Sequence, residues 1–147
     1  MEGFEMSFAL HPDLVRDGIE IGRLSLCQIL LINDATYPWF VLVPERNHVS
    51  DTIDLAATDH ATLWDESRIF SQGIMGAFAG EKLNVAALGN VTPQLHVHHI
   101  IRYKSDPAWP DPIWGKCPMR PYTKSELEGV RDKLKSANIS VADWQLW

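Results

Sequence analysis

The run Gln94-Leu95-His96-Val97-His98-His99-Ile100-Ile101 places two imidazoles two residues apart inside an apolar, strand-like segment. Side chains alternate along an extended chain. Gln94, His96, His98, Ile100 and Arg102 therefore share one face, and Leu95, Val97, His99, Ile101 and Tyr103 share the other. The second face reads as core. The first reads either as a site or as the solvated side of a half-buried strand.

At 147 residues the chain fits one domain with a sizeable core. A hydrophobic fraction of 46% and a charged fraction of 22% suit a globular protein and argue against extensive disorder. The formal charge of −6 opposes non-specific binding to nucleic-acid backbones, which needs clustered Lys and Arg. A small anionic ligand in a local pocket remains compatible with it. The first residues lack the basic start and apolar run of a secretory signal, and no stretch reaches the ~18 apolar residues of a membrane span, so a cytoplasmic protein is expected. Cys27 and Cys117 form no metal-like or redox spacing and are read as free thiols.

Pro12 can open a short helix between Phe8 and Asp17. From Ile19 the chain alternates imperfectly and then becomes the continuous run Ile29-Leu30-Leu31-Ile32, as a well-buried strand does. A turn over residues 33–38 returns it as the strand 39–43, making an antiparallel hairpin. Thr58 or Asp59 can cap a long helix whose stripe is Leu63, Phe70, Ile74, Ala77 and Phe78. Asp65, Glu66 and Arg68 lie away from much of that stripe, and Gly80 ends the helix. Residues 83–88 read as a strand, joined through residues 89–93 to the histidine segment. The prolines of residues 105–115 exclude a regular helix, and the tryptophans there imply an ordered loop. Thr123 and Glu126 match a capping box that predicts a last helix over about residues 125–137.

The histidine run is similar to the pattern His-φ-His-φ-His-φ-φ, φ being apolar, of the histidine triad (HIT) family of nucleotide-binding hydrolases and transferases. Gln94 stands in place of the first His and His99 in place of an apolar residue. The likeness extends to Ile29-Leu30-Leu31-Ile32-Asn33-Asp34, to Val41-Leu42-Val43-Pro44-Glu45-Arg46-Asn47-His48 and to residues 84–90, hence to roughly residues 25–103. It implies an α+β, HIT-like fold. An antiparallel sheet of about five strands would carry one long helix, with a C-terminal helix in a Pro/Trp-rich extension over residues 104–147. The whole of residues 1–147 would be one domain with its core at about 8–103.

By that resemblance His96 is the nucleophile that attacks the α-phosphorus of a nucleotide, giving a nucleotidyl-imidazole that water then releases. A neutral imidazole suits the task, since one ring nitrogen keeps a lone pair while the other donates to a positioning acceptor. His98 corresponds to the third His and would donate to a phosphate oxygen or the leaving group. Gln94 can hydrogen-bond substrate but cannot titrate near neutrality. Asn33 and Asp34 fall where the family holds ribose hydroxyls, although Asn-Asp also stabilises a turn without any ligand. Asn90 resembles an amide that contacts phosphate, with a plain Gly-Asn turn as the other reading.

His48 is read as structural or at the rim, His99 as a bystander, and His11 and His60 as lacking any constellation. Arg102 could attract phosphate, but a charge at a strand end is more often solvated. Trp109 and Trp114 either reach the pocket or a partner, or fill core. The resemblance further implies a homodimer, a small nucleotide partner, and no cofactor or metal. The substrate classes it implies are dinucleoside polyphosphates and nucleoside phosphoramidates. Two alternatives compete: a nucleotide-binding or signalling module without turnover, favoured by Gln94, and a zinc hydrolase using His96, His98 and His48. No Gly-rich phosphate loop or Gly-x-Ser-x-Gly elbow is present to support an ATPase or a serine hydrolase.

Overall fold

Five strands form one antiparallel sheet in a computed structural model that describes residues 7–139. The chain opens with helix α1 (Pro12–Asp17) and continues through β1 (Gly18–Arg23), β2 (Cys27–Ile32) and β3 (Trp39–Pro44). The long helix α2 (Ala57–Ala77) follows, then β4 (Lys82–Ala86), β5 (Val97–Arg102) and helix α3 (Lys124–Ser136). The sheet order is β1-β2-β3-β5-β4, so the histidine strand β5 lies inside the sheet between β3 and β4. This is the expected α+β arrangement of five strands with a long helix and a C-terminal helix.

The two faces of the sheet carry different layers. Ile29, Leu31, Phe40, Leu42, Val97 and Ile101 pack with Leu63, Phe70 and Ile74 of α2 in the main core. Phe40 meets Phe70 edge to face at 5.4 Å, and burying side chains of this size stabilises by about 1.5–3 kcal/mol each. On the opposite face Leu30, Ile32, Val41 and Val43 pack against Leu14 of α1, while Ile100 packs with Tyr37, Ala108 and Ile113. With both faces covered, every residue of β2 is buried, which explains the continuous apolar run Ile29-Leu30-Leu31-Ile32 within it.

Several local expectations shift. The segment beginning at Ile19 is two strands, β1 and β2, paired with each other. Helix α2 begins at Ala57 after an uncapped Ala56, two or three residues before a cap by Thr58 or Asp59 would start it. The left-handed residue at its end is Ala79 (φ 49°), one before Gly80. Glu66 does not face solvent: its carboxylate is buried and accepts from the backbone N–H groups of Leu26 and Cys27 at 2.9 and 3.0 Å. It thereby satisfies the donors that the β1–β2 turn exposes. The capping box of Thr123 and Glu126 forms as the sequence predicts. No helix among the described residues is long and apolar enough to cross a membrane.

Candidate active site

β5 begins at Val97, so Gln94 and His96 precede the ladder rather than belonging to it. His96 and His98 nonetheless meet on one side with ring centroids 4.9 Å apart, on the face away from α2. His99 points the other way. It is fully buried, its Nδ1 is 2.9 Å from the Val97 carbonyl, and its Nε2 is 2.7 Å from the Ser67 hydroxyl on α2.

The ring nitrogens of His96 and His98 have defined roles. His96 Nδ1 lies 2.7 Å from the main-chain carbonyl of Gln94. A carbonyl only accepts, so Nδ1 carries the hydrogen and Nε2 of the neutral ring keeps its lone pair. Among the described residues no hydrogen bond occupies that Nε2. His98 is held at both ends: Nδ1 accepts from the Trp39 indole N–H at 3.0 Å, and Nε2 donates to the Leu88 carbonyl at 2.8 Å. Burial lowers the His98 pKa to about 4, against a partial offset from the Leu88 bond and with help from the neighbouring imidazoles. The ring is therefore neutral near pH 7.

A cavity of about 400 Å³ opens beside this pair, walled by Leu14, Ile32, Trp39, Trp114 and Met119, with Asp13 and Asp17 also lining it. Its volume suits a nucleoside-sized ligand. A smaller cavity of about 60 Å³, lined by Ser50, Asp51, Asn90 and Gln94, also borders His96. Gly89 brings the preceding loop against the ring. A Cβ there would lie 2.9 Å from His96 Cε1 and 2.8 Å from the Thr92 carbonyl oxygen, closer than real side chains approach.

Asn90 lies at this site, exposed, and borders both cavities. Asn33 and Asp34 have other tasks, since Asn33 Oδ1 accepts from Tyr122 N–H at 3.0 Å and Asp34 Oδ1 from Arg120 N–H at 3.2 Å. Neither lines the large cavity, and Asp34 is buried. These side chains tie the segment before α3 to the β2–β3 turn instead of facing the pocket. The Gln94 amide is likewise engaged by backbone, with Oε1 2.8 Å from His11 N and Nε2 2.9 Å from the Ala9 carbonyl.

Arg102 departs from both of its sequence readings. It is 1% exposed and forms a forked pair with Asp106 at 2.7 and 3.0 Å, with Asn84 Oδ1 at 2.8 Å. Asp106 also accepts from the backbone N–H groups of Ala108 and Trp109. The pair thus anchors the proline-rich loop that delivers Trp114 to the site, where its ring stands edge-on to His98 at 5.2 Å. Trp109 packs beside the Arg102 guanidinium instead. His48 has a left-handed backbone (φ 60°) and lines a separate cavity with Arg46 and Val49. Among the described residues no three His, Cys, Asp or Glu side chains group as metal ligands, and both His98 nitrogens are already engaged.

Asp13, Leu14, Asp17, Thr92 and Met119 were not foreseen at the site. The only sequence signal near the first three was the Pro12 helix start, which says nothing about where that helix docks.

A HIT domain model matches residues 15–105. A solved histidine triad protein from Marinobacter aquaeolei is 46% identical, with a TM-score of 0.85 over 88% of this chain and 95% of its own. One from Sinorhizobium meliloti is 40% identical, with a TM-score of 0.85 over 88% of this chain and 96% of its own. Another from Bradyrhizobium japonicum is also 40% identical, with a TM-score of 0.86 over 88% and 97%. No curated protein matches the chain. A domain match across the sheet and relatives of this similarity over most of the chain lead to one assignment: the protein belongs to the histidine triad family, whose members are generally nucleotide hydrolases or transferases.

Proposed function

We propose that the protein is a hydrolase or transferase acting at the α-phosphate of a nucleoside phosphate through a nucleotidyl intermediate on His96. The observation that carries this reading is the bond from His96 Nδ1 to the Gln94 carbonyl, which leaves Nε2 as the nucleophilic nitrogen beside the cavity. In the first step the Nε2 lone pair attacks phosphorus, a P–N bond forms, and the bond from phosphorus to the leaving group breaks. In the second, water or another acceptor attacks phosphorus, the P–N bond breaks, and His96 is regenerated. Nucleophile activation needs no first-position imidazole, because a main-chain carbonyl orients the ring. Gln94 is therefore compatible with turnover.

The apolar wall of Leu14, Ile32 and Trp114 suits a nucleobase. Asp13 and Asp17, which line the cavity, are the acceptors for sugar hydroxyls. The His98 Nε2–H, which now bonds the Leu88 carbonyl, is the donor a phosphate oxygen would take over, and Asn90 stands within the same loop as a second donor. Dinucleoside polyphosphates and nucleoside phosphoramidates are the substrate classes to assay. The reading includes a cytoplasmic homodimer. Exposed Val85 on the edge strand β4 supports the dimer, and sedimentation would test it.

The test is His96→Ala in the full chain. AMP should bind with an affinity within a few-fold of the parent while turnover of both substrate classes is lost. A variant that turns over at the parent rate overturns the mechanism.

A further inference from the structure

Gln94 bonds in two directions at once. Its main-chain carbonyl orients the nucleophile, with His96 Nδ1 at 2.7 Å. Its side chain reaches the opposite way, accepting from His11 N–H at 2.8 Å and donating to the Ala9 carbonyl at 2.9 Å. Those two backbone groups flank Leu10 and are met side by side, so the amide pairs with them as a peptide unit of a neighbouring strand would. A second fastener lies two residues away, where the Thr92 hydroxyl donates to Asp13 Oδ2 at 2.8 Å. The segment held in this way continues directly into α1. Its Asp13, Leu14 and Asp17 form one wall of the large cavity. The far end of this wall is tied to the sheet separately, by the Asn33 N–H donating to the Asp17 carbonyl at 2.8 Å and by the packing of Leu14, the buried residue of α1.

We propose that Gln94 is a positioning residue that clasps the backbone of residues 9–11 and so fixes the α1 wall of the cavity relative to His96. The inference rests on the nucleotide reading of that cavity, but the clasp can be measured without it. Histidine cannot make the same clasp. Its donor and acceptor nitrogens diverge across the ring, whereas the amide oxygen and nitrogen project side by side, so an imidazole can keep at most one of the two bonds. Glutamate sets an oxygen against the Ala9 carbonyl, and that repulsion pushes the segment away and weakens the bond to His11 with it. Restoring the family's own residue at position 94 is therefore expected to weaken the site.

The experiment compares the full chain with Gln94→His and with the isosteric Gln94→Glu, using amide hydrogen exchange at His11 and calorimetric titration with AMP. In both variants exchange at His11 should accelerate about tenfold or more, and AMP affinity should fall by about tenfold, as expected for losing a bond that orders one wall. The affinity loss separates positioning from a merely stabilising role. Unchanged exchange at His11 in both variants overturns the clasp. Accelerated exchange with unchanged AMP affinity overturns its positioning role. If the parent chain binds no AMP, the nucleotide reading fails, while exchange still decides whether the clasp exists.

Discussion

The Trp39 indole N–H donates to Nδ1 of His98 at 3.0 Å, and that bond selects the His98 tautomer. An indole only donates, so Nδ1 must hold the lone pair and Nε2 the hydrogen that faces Leu88. Trp39→Phe preserves most of the ring volume and removes the donor. The expected result is a loss of about 1–2 kcal/mol in stability and an upward shift of the His98 pKa, because protonating Nδ1 no longer breaks a bond. Nitrogen-detected NMR of the imidazoles against pH reads the tautomer directly. A variant whose His98 keeps the same tautomer and titration would show that Trp39 does not set it.

The buried pair of Arg102 and Asp106 holds the loop that carries Trp114. Arg102→Met leaves the Asp106 carboxylate without its partner, and breaking such a buried pair from one side costs about 3–5 kcal/mol. Urea denaturation should show this loss, accompanied by altered fluorescence of the loop tryptophans. Retention of the parent midpoint would mean that water or backbone donors replace the guanidinium.

Gly89 permits an approach that a Cβ would prevent. Gly89→Ala should displace the loop from His96 while the core stays intact. Nucleotidyl transfer should therefore fall by about ten- to a hundredfold, as sub-ångström to ångström misplacement of a reacting group does. Rapid-quench kinetics alongside a melting curve separates these effects. A parent-like rate would show that the loop yields without moving the ring.

Burial lowers His98 and His99 to about 4 in the folded chain, from ~6.5 when unfolded. Between these values the unfolded chain binds more protons than the folded one, so unfolding free energy rises with pH. The stability from keeping both rings neutral is complete above about pH 6.5 and is lost as pH falls toward 4, on the order of 3 kcal/mol per imidazole. Urea midpoints measured from about pH 7 down to about pH 4.5 should fall accordingly. His99→Gln should show roughly half the slope. A flat profile in the parent would contradict the burial of both groups as neutral species.

Period-two alternation made His96 and His98 legible as neighbours and His99 as a core residue, because side-chain direction along an extended segment is local information. Thr123 and Glu126 were legible for the same reason, as partners three residues apart. Pairing across the chain was not. The Gln94 bonds to Ala9 and His11 span more than eighty residues, as do those of Asn33 and Asp34 to the segment before α3. Asx residues after a strand read as turn formers or sugar contacts until the distant backbone they cap is known. Arg102 and Glu66 misled for a related reason, since a charge implies solvent unless a buried partner is visible in advance. The partner of Arg102 is Asp106, inside a proline-rich loop with no periodicity to place it.

The central claim is that His96 Nε2 becomes covalently bonded to the α-phosphorus. Rapid acid-free quench of the full chain with a dinucleoside polyphosphate or an adenosine phosphoramidate, followed by peptide mass spectrometry, reads that bond directly. An AMP adduct on the peptide containing His96, forming and decaying at rates compatible with turnover and missing in His96→Ala, is the predicted result. Turnover with no adduct on His96, or with the adduct on another residue, would contradict it.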